Sequence, residues 1–479
     1  MAVTGLLEGI RVLDMTVALA GPYASMLLGG LGAEVIRVEA PGGSDLGRSN
    51  PPFVGPGGVN FGQQGSDDVS LTLLNRARNK KSITLNVKDP EGRALFARLL
   101  RESDVFIENL SEGASERLGV DYARVREIND RIIYASIKAF GEPSKYQNLK
   151  GMDILVQALS GLMAVTGEAS GPPMRCGVPV ADLLAPLYMV NGILAALIYR
   201  GRTGKGQKIQ VSMLDCLSSW VAEEHFDVLA QAGFRMRTGN NHERLVPFGT
   251  YECVDGHIAI AAVHPDWFAS LLDAMGRADL KRDPRFADRG TRMRHAADLA
   301  ALVSAWTRDK TVAFVEQALV QERGVPAARV RTPLEMLDDP DLHRSGAITD
   351  LQTPDGGTVR GMGLPIGFSE CHAQFDVPAQ ALGQANASVY ADILGLSDAE
   401  IRRLEEKRSC TRACSTKATV LSRVHADTSA ARSAAWRIRV PRSAKRGSRF
   451  RSARPMASSR LANQSGCTAA MAMWPSTHS

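Results

Sequence analysis

The sequence has few of the residues that build covalent or metal-held frameworks. Its seven cysteines are spread over 479 residues without a CxxC pair, and its nine histidines form no HExxH motif. A disulfide framework and a zinc site are therefore not expected. No GxSxG elbow and no GxxxxGK[ST] loop occurs, which leaves serine-hydrolase chemistry and P-loop phosphate binding without support.

The sequence also lacks the features of exported or membrane-inserted chains. The N-terminal segment MAVTGLLEGIRVLDM has no basic region followed by an apolar stretch, so we expect no signal peptide. No run approaches the roughly 18 uninterrupted apolar residues of a membrane span. With 44% hydrophobic and 23% charged residues, the composition is that of a globular protein, and we expect it in the reducing cytoplasm.

Positive charge is concentrated at the C-terminal end. Residues 408–479 contain 14 Lys and Arg against one acid, Asp427, leaving 43 basic and 50 acidic residues, a net charge of −7, in 1–407. Three interpretations of this Ala-, Ser- and Arg-rich tail stay open: an arm that binds nucleic acid or an acidic partner, a disordered extension, or an out-of-frame translation. No nucleic-acid partner is expected for residues 1–407.

Strand and helix patterns alternate through the first 220 residues. IRVLDMTV, AEVIRVEAP, KSITLNVKD, VFIENL, RIIYASIKAF and IQVSML read as strands, with helices between them and a further helix at about 215–233. This order predicts an α/β fold with a doubly wound parallel sheet. We divide the chain into a large domain in two parts, 1–225 and 336–407, an inserted smaller α+β domain at 226–335, and the tail at 408–479. In the insert, GTYECVDGHIAIAAV predicts a hairpin with its turn at Asp255-Gly256.

Asp182 stands out among the candidate functional residues. It precedes a long apolar helical pattern, and the nearest other acids are Glu168 and Asp215. An aspartate in this place is typical of a helix N-cap that accepts backbone N–H bonds and stays ionised at neutral pH. A carboxylate held in that way and facing a cleft could also act as a nucleophile. The glycines at 29, 30 and 32 follow a helix rather than a strand, so they predict a helix end rather than a dinucleotide fingerprint.

The sequence resembles the class III CoA-transferases, the CaiB/BaiF family, over nearly all of residues 5–405. The resemblance rests on the order and spacing of RVLDMTVALAGPYASMLLGGLGAEVIRVEAPGGSD, NKKSITLNVKDPEGR, SDVFIENLSEGASERLGV, GMDILVQALSGLMAVTG, GVPVADLLAPLYMVNGILAAL, RTGKGQKIQVSMLD and GVPAARVRTPLEMLDDPDL. It implies transfer of CoA from an acyl-CoA donor to a carboxylic acid through an aspartyl anhydride and an aspartyl-CoA thioester. It also implies an interlocked homodimer.

The resemblance assigns residues to these roles. Asp182 corresponds to the catalytic aspartate, and the CoA-binding positions are Ala18, Leu19, Ala20, Leu85, Asn109, Leu110, Arg117 and Lys150. CoA and acyl-CoA are substrates in this scheme, and neither a metal nor a permanently bound cofactor is expected. Lys80 and Lys81 are further cations that would suit a phosphorylated ligand if they lay at the same sheet edge.

The sequence departs from parts of the family pattern. Ala40 replaces an arginine of some members, and Leu19 replaces the glutamine of the formyl-CoA enzymes, which disfavours a formyl/oxalate pair. The related racemases carry a histidine where this chain has Met152, and a thioether cannot transfer a proton at neutral pH. A 2-methylacyl-CoA racemase and a non-catalytic CoA- or nucleotide-binding protein remain the alternatives. We expect the acid pocket around Met152, Asp153, residues 239–248 and the partner chain, and the polar side chains of Asn240, Asn241, His242 and Arg244 suit a dicarboxylate.

Overall fold

Short buried strands alternate with helices along most of the chain. The computed structural model describes residues 5–43, 45–63, 65, 67–146, 148–242, 244–407 and 410, so the predicted tail lies outside the described residues except for Cys410. In chain order, the strands are Arg11–Asp14 (β1), Glu34–Glu39 (β2), Phe53–Gly55 (β3), Gly58–Asn60 (β4), Val69–Ser70 (β5), Lys80–Thr84 (β6), Val105–Glu108 (β7), Ile133–Lys138 (β8), Gln207–Ser212 (β9), Phe248–Cys253 (β10), Gly256–Ala261 (β11), Ala327–Arg329 (β12), Ile348–Gln352 (β13) and Thr358–Met362 (β14).

The helices of the described residues vary from one turn to almost seven. They are Ala20–Gly30 (α1), Leu46–Ser49 (α2), Leu71–Arg76 (α3), Pro90–Arg101 (α4), Ala114–Leu118 (α5), Tyr122–Ile128 (α6), Asp153–Leu159 (α7), Leu162–Val165 (α8), Val180–Thr203 (α9), Met213–Ala222 (α10), Phe226–Gln231 (α11), Pro265–Ala274 (α12), Arg289–Arg294 (α13), Ala296–Thr307 (α14), Val312–Glu316 (α15), Pro333–Leu337 (α16), Pro340–Arg344 (α17), Asn386–Asp392 (α18) and Asp398–Glu406 (α19). A 3₁₀ turn at Ala278–Arg282 and a π-helical turn at Gln317–Gln321 complete the set.

Six strands form one parallel sheet in the order β6-β2-β1-β7-β8-β9. The chain winds outward from β1 through β2 to β6, and then outward from β7 through β8 to β9 on the other side. The α/β fold with a parallel sheet is thus confirmed, and its winding reverses between β1 and β7. In sheets of this kind, ligands bind at the carboxyl ends of the strands where the winding reverses.

Both faces of this sheet are buried. Val12 and Leu13 are neighbours in β1 and have no exposed surface, yet they belong to two different cores. Val12 packs with residues of α1, α9 and α10, whereas Leu13 packs with residues of α4, α18 and α19. Burial on both faces explains why the strands read as continuous apolar runs rather than alternating ones.

Helix α9 is the longest helix of the described residues. By length and composition alone it could cross a membrane, with a mean hydropathy of 1.7 over its most apolar window. Packing against α1, α10 and β8 buries 44% of that window inside the chain. A core helix of a globular fold has the same composition, so this feature carries little weight as a membrane signal.

A separate antiparallel sheet, β10-β11-β12, packs against helices from the 265–325 region with its own apolar core. The predicted hairpin is confirmed, but its turn lies one residue earlier than expected, at Val254-Asp255, because Cys253 pairs with Gly256. The limits of the predicted domains at 225 and 335 stay a prediction.

One sequence expectation about local structure is wrong. The helix expected at 215–233 is divided into α10 and α11 because His225 adopts a left-handed backbone conformation, with φ of 51°. In the described part of the chain, strands β13 and β14 pair with each other in a separate two-stranded sheet. The small sheet of β3, β4 and β5 had no counterpart in the sequence interpretation.

Candidate functional site

Six of the predicted CoA-binding residues follow carboxyl ends of neighbouring strands. Ala18, Leu19 and Ala20 follow β1, Leu85 follows β6, and Asn109 and Leu110 follow β7. Parallel pairing brings all six to the same edge of the sheet; the residues after β1 and β7 lie where the winding reverses, and Leu85 follows the outer strand β6. The sequence-predicted residues therefore lie at the edge where α/β folds bind ligands.

The loops after β1 and β7 are tied together by one side chain. Asn109 accepts a hydrogen bond from the Val17 backbone N–H (2.9 Å) and donates one to the Val17 carbonyl (2.8 Å). Because both the N–H and the carbonyl of Val17 are hydrogen-bonded to Asn109, the orientation of the Val17 backbone is fixed. Asn109 is thus a connector between two loops as well as a half-buried candidate contact.

Ala18 has a strained backbone at the centre of this site, with φ of 66°, a region that non-glycine residues seldom adopt. Two long-range contacts hold it. The Ala18 N–H donates to Asp45 Oδ1 at 2.9 Å, and the Arg76 guanidinium donates to the Ala18 carbonyl at 3.3 Å. Close packing continues at Gly21, where a Cβ would lie 2.4 Å from the Thr16 Cβ. Only glycine allows α1 to start so close to the loop.

A buried ion pair supports the loop from below. Lys80 Nζ lies 3.1 Å from Asp14 Oδ2 and also donates to the Pro22 carbonyl (2.7 Å) and Ser25 Oγ (2.8 Å). Burial opposes ionisation of Asp14, but Lys80 and the hydroxyl donors outweigh it and lower the pKa of Asp14. Burial lowers the pKa of Lys80 to about 8, so both groups are charged at pH 7. Lys80 is therefore a structural cation, and the expectation that it could meet a phosphorylated ligand is wrong.

The remaining predicted contacts differ in exposure. The Leu85 side chain is 2% exposed and belongs to the apolar core, so only its backbone could face a ligand, and Leu19 and Ala20 are also buried. Arg117, in α5, and Lys150, after β8, have exposed side chains. They are the predicted cations that are free to meet solvent-borne phosphates.

Asp182 lies in the first turn of α9 but is not the helix N-cap. The helix begins at Val180, and the Ala181 N–H donates to Asp153 Oδ1 at 2.9 Å. Asp153 comes from α7, where Gln157 Nε2 donates to its other carboxylate oxygen at 2.6 Å. The expected N-cap role of Asp182 is therefore wrong, because a carboxylate 28 residues earlier satisfies the helix end.

The absence of backbone donors changes the electrostatics of Asp182. Burial raises its pKa to about 6, the negative charge of Asp153 adds to the rise, and Arg76 opposes it. We expected backbone hydrogen bonds to keep Asp182 ionised. That expectation is wrong, because the raised pKa makes Asp182 easier to protonate than an ordinary aspartate. A carboxylate with this pKa is still mostly ionised at pH 7, yet poorly solvated and therefore more nucleophilic than a surface aspartate.

Sequence interpretation missed two members of the site. Arg76 ends α3 and interacts with both Asp182 and the Ala18 loop. Asp153 was assigned to the acid pocket, but its role in holding the start of α9 was not predicted. Neither role has a local signal, because each depends on residues that are distant in the sequence.

The residues predicted to form the acid pocket are only partly brought together. Met152 is 60% exposed beside Asp153 at the start of α7. Segment 239–241 contacts the loop after α8 and strand β10: the Gly239 N–H donates to the Gly167 carbonyl (3.1 Å), and Asn241 pairs with Gly249. Arg244 forms an ion pair with Glu224, which leaves less of its charge for a substrate.

A cavity of about 600 Å³ lies over β8 and excludes Asp182. Its charged lining residues carry a net negative charge, since five acids face two lysines: Glu108, Glu112, Glu116, Asp121 and Glu142, with Lys138 and Lys208. Such a lining would repel the phosphates of CoA, so we do not assign this cavity to the substrate. Among the described residues, no cluster of three or more His, Cys, Asp or Glu could hold a metal ion.

Comparisons with known proteins agree with this architecture. The model of "CoA-transferase family III" matches residues 7–386. A succinate–glutarate CoA-transferase of Agrobacterium fabrum is 34% identical over 394 residues, covering 81% of this chain and 95% of that protein. A succinyl-CoA:mesaconate CoA-transferase of Haloarcula hispanica is 36% identical over 371 residues, covering 76% and 91%.

A solved structure gives the same result for the fold. The crystal structure of a CaiB/BaiF family protein from Brucella suis superposes with a TM-score of 0.71 at 34% identity, covering 82% of this chain and 100% of that one. The family match spans most of the described residues, and the two relatives align over nearly their whole length. The chain therefore belongs to CoA-transferase family III.

Proposed function

We propose that this enzyme moves CoA from an acyl-CoA to a small carboxylic acid, with the Asp182 carboxylate as the covalent carrier. The observation that carries the proposal is the state of Asp182: half-buried, free of backbone hydrogen bonds among the described residues, and raised in pKa to about 6. Its counter-cation Arg76 also binds the Ala18 loop at the reversal point of the sheet. A nucleophile is thus linked to the edge where CoA is expected.

The proposed reaction exchanges acyl group and CoA in two symmetrical halves. An Asp182 oxygen attacks the thioester carbonyl of the donor, forming a mixed anhydride and releasing CoA thiolate. The thiolate attacks the Asp182 carbonyl, giving an aspartyl-CoA thioester and the donor acid. The acceptor carboxylate then attacks that thioester, and the thiolate returns to the acceptor carbonyl, regenerating Asp182. No proton or cofactor is consumed, and the thioester energy is conserved at each step.

The proposed CoA site uses the sheet edge described above. The 3′,5′-ADP end would meet the exposed cations Arg117 and Lys150, while the pantetheine arm would run past Asn109 and the Ala18–Ala20 backbone toward Asp182. CoA carries phosphates at one end and the thioester at the other. Exposed cations at one end of the site and the poorly solvated Asp182 carboxylate at the other suit these two ends. Both covalent intermediates hydrolyse readily, so a site that limits water is required.

We propose dicarboxylates or their thioesters as substrates. The two relatives above are named for succinate with glutarate and for succinyl-CoA with mesaconate, all dicarboxylic compounds. Arg76 offers this chain a cation within the site for a carboxylate.

We also propose a cytoplasmic homodimer. Leu187, Tyr188, Ile198 and Tyr199 of α9 are 41 to 60% exposed, which is unusual for a helix of this composition and suits burial against a second copy. The five cysteines of the described residues are free, as expected in a reducing compartment. Sedimentation equilibrium would test the dimer, and a mass equal to one chain at micromolar concentration would contradict it.

An exchange assay tests the function. The purified enzyme is mixed with succinyl-CoA and a set of acids, and chromatography follows the new acyl-CoA. We expect exchange with at least one dicarboxylate and none with Asp182→Ala. Loss of an α-proton of 2-methylacyl-CoA to deuterated water without exchange would favour the racemase, and binding of CoA without either reaction would favour a non-catalytic protein.

A further inference from the structure

The charges beneath the Ala18 loop are balanced in pairs. Asp45 pairs with Arg37, and Asp14 pairs with Lys80, while Glu39 receives two hydrogen bonds from Arg48, at 2.7 and 2.6 Å. Arg37 also lies 3.3 Å from Glu39, so three bases together balance the three buried acids of this network. Arg76 forms no ion pair with these groups among the described residues, although Asp45 affects it electrostatically.

Most of the hydrogen-bonding capacity of Arg76 is unused. A guanidinium carries five N–H donors, and in the described part of the chain its one hydrogen bond goes to the Ala18 carbonyl. Asp182 is the anion that influences it most, ahead of Asp45. The group is half-buried, so the unused donors are only partly compensated by water.

Covalent chemistry at Asp182 would remove this counter-charge. In the aspartyl-CoA thioester, the carboxylate has become a neutral carbonyl, and Arg76 then faces a site without its main anion. The charges that act to raise the pKa of Arg76 are those of Asp182 and Asp45, and Asp153 is instead hydrogen-bonded to Ala181 and Gln157. A partly desolvated cation without a counter-ion is unfavourable and favours the entry of another anion.

We infer that Arg76 binds a carboxylate of the acid substrate when Asp182 carries CoA. The inference rests on the proposed function for its timing, and it gives Arg76 a role in substrate binding that is distinct from holding the Ala18 loop. Guanidinium and carboxylate groups match in a bidentate geometry. Two carboxylates of a dicarboxylate can fill this role: the one that reacts with the thioester, or the distal one. Binding of glutarate and of a monocarboxylate distinguishes them.

Binding measurements test the inference without any catalysis. Asp182→Asn is neutral and nearly isosteric, so it reproduces the loss of charge. Isothermal titration with glutarate at pH 8 should show at least tenfold tighter binding to Asp182→Asn than to the wild-type protein. Adding Arg76→Gln should abolish that gain. Arg202→Gln is the matched control, because this exposed arginine lies about 30 Å along α9 from Asp182 and should not alter binding.

Pentanoate, which has the same chain length and one carboxylate, identifies the carboxylate that binds. If Arg76→Gln weakens binding of glutarate and pentanoate equally, Arg76 takes the reacting carboxylate. If it weakens only glutarate, Arg76 takes the distal one. Equal glutarate affinity of Asp182→Asn with and without Arg76→Gln would overturn the inference.

Steady-state kinetics separate substrate binding from loop positioning. Arg76→Gln should raise the KM for the acid at least tenfold and change the KM for acyl-CoA less than twofold, with partial recovery in Arg76→Lys. Equal increases in both KM values would show that Arg76 acts only through Ala18. If the wild-type enzyme exchanges no CoA but the titrations come out as expected, the proposed function fails while the anion site stands. If exchange occurs and the titrations fail, only the Arg76 inference is lost.

Discussion

Replacing Asp182 with asparagine is expected to stabilise the fold at neutral and alkaline pH while removing activity. In the folded chain the pKa of Asp182 is raised from 3.8 to about 6, mainly by burial. The folded state therefore binds this proton more tightly than the unfolded state. Below pH 3.8 the carboxyl group is neutral in both states and costs nothing, whereas its ionisation destabilises the fold progressively between pH 3.8 and 6.

The size of the effect follows from the two pKa values. The rise to about 6 corresponds to at most about 3 kcal/mol above pH 6. Asp182 keeps some contact with solvent, so a gain of roughly 1 to 3 kcal/mol is expected for Asp182→Asn at pH 8. A chain of this length unfolds with an entropy of roughly 1 kcal/mol/K, so the Tm should rise by about 1 to 3 °C.

Thermal unfolding followed by circular dichroism between pH 4 and 8.5 would measure the effect. Asp182→Asn should melt higher than the wild-type protein at pH 8, and the two curves should converge near pH 4. Asp266→Asn is the matched control, since the Asp266 side chain is 90% exposed and its replacement should change the Tm little at pH 8. An unchanged or lower Tm for Asp182→Asn at pH 8, or a gain that persists at pH 4, would refute the electrostatic reasoning.

Three other changes probe the surroundings of the site. Lys80→Met leaves Asp14 buried without its cation and should destabilise the fold by about 3 to 5 kcal/mol. The double variant Lys80→Met/Asp14→Asn should lose less stability, as measured by its Tm. An equal loss of stability in the two variants would count against the pairing. The kcat/KM for acyl-CoA should rise with pH around the Asp182 pKa of about 6. Asp153→Asn should move the midpoint of that rise to lower pH, because the charge of Asp153 raises the pKa of Asp182. A midpoint that does not move would contradict this effect of Asp153. Asn109→Ala removes both hydrogen bonds between the two loops and should raise the KM for acyl-CoA about tenfold; a KM within twofold of the wild-type value would remove Asn109 from the CoA site.

Much of the large sheet could be predicted because its signals are local. Strands β2, β7 and β8 are short runs that are buried along almost their whole length, and Asp89-Pro90 marks the start of α4 as a cap followed by proline. Adjacent placement of Ala18 and Asn109 also follows from the topology alone, since both come after strands of one parallel sheet. The family resemblance then supplied the candidate roles of these residues.

The features that escaped prediction depend on long-range contacts. Asp153 caps α9 through the N–H of Ala181, 28 residues later, and Lys80 is buried because Asp14, 66 residues earlier, neutralises it. Arg76 reaches the Ala18 carbonyl across 58 residues. The break at His225 has no glycine or proline to mark it. Such contacts arise only when the whole sheet has assembled.

The most direct test of the central claim is to trap the covalent intermediate. The enzyme is mixed with succinyl-CoA, or with another acyl-CoA that it exchanges, and treated with hydroxylamine or borohydride before peptide mass spectrometry. We expect a hydroxamate or the corresponding alcohol on Asp182, and none in Asp182→Ala. A modification on a different residue, or unmodified Asp182 in an enzyme that is actively exchanging CoA, would contradict the account.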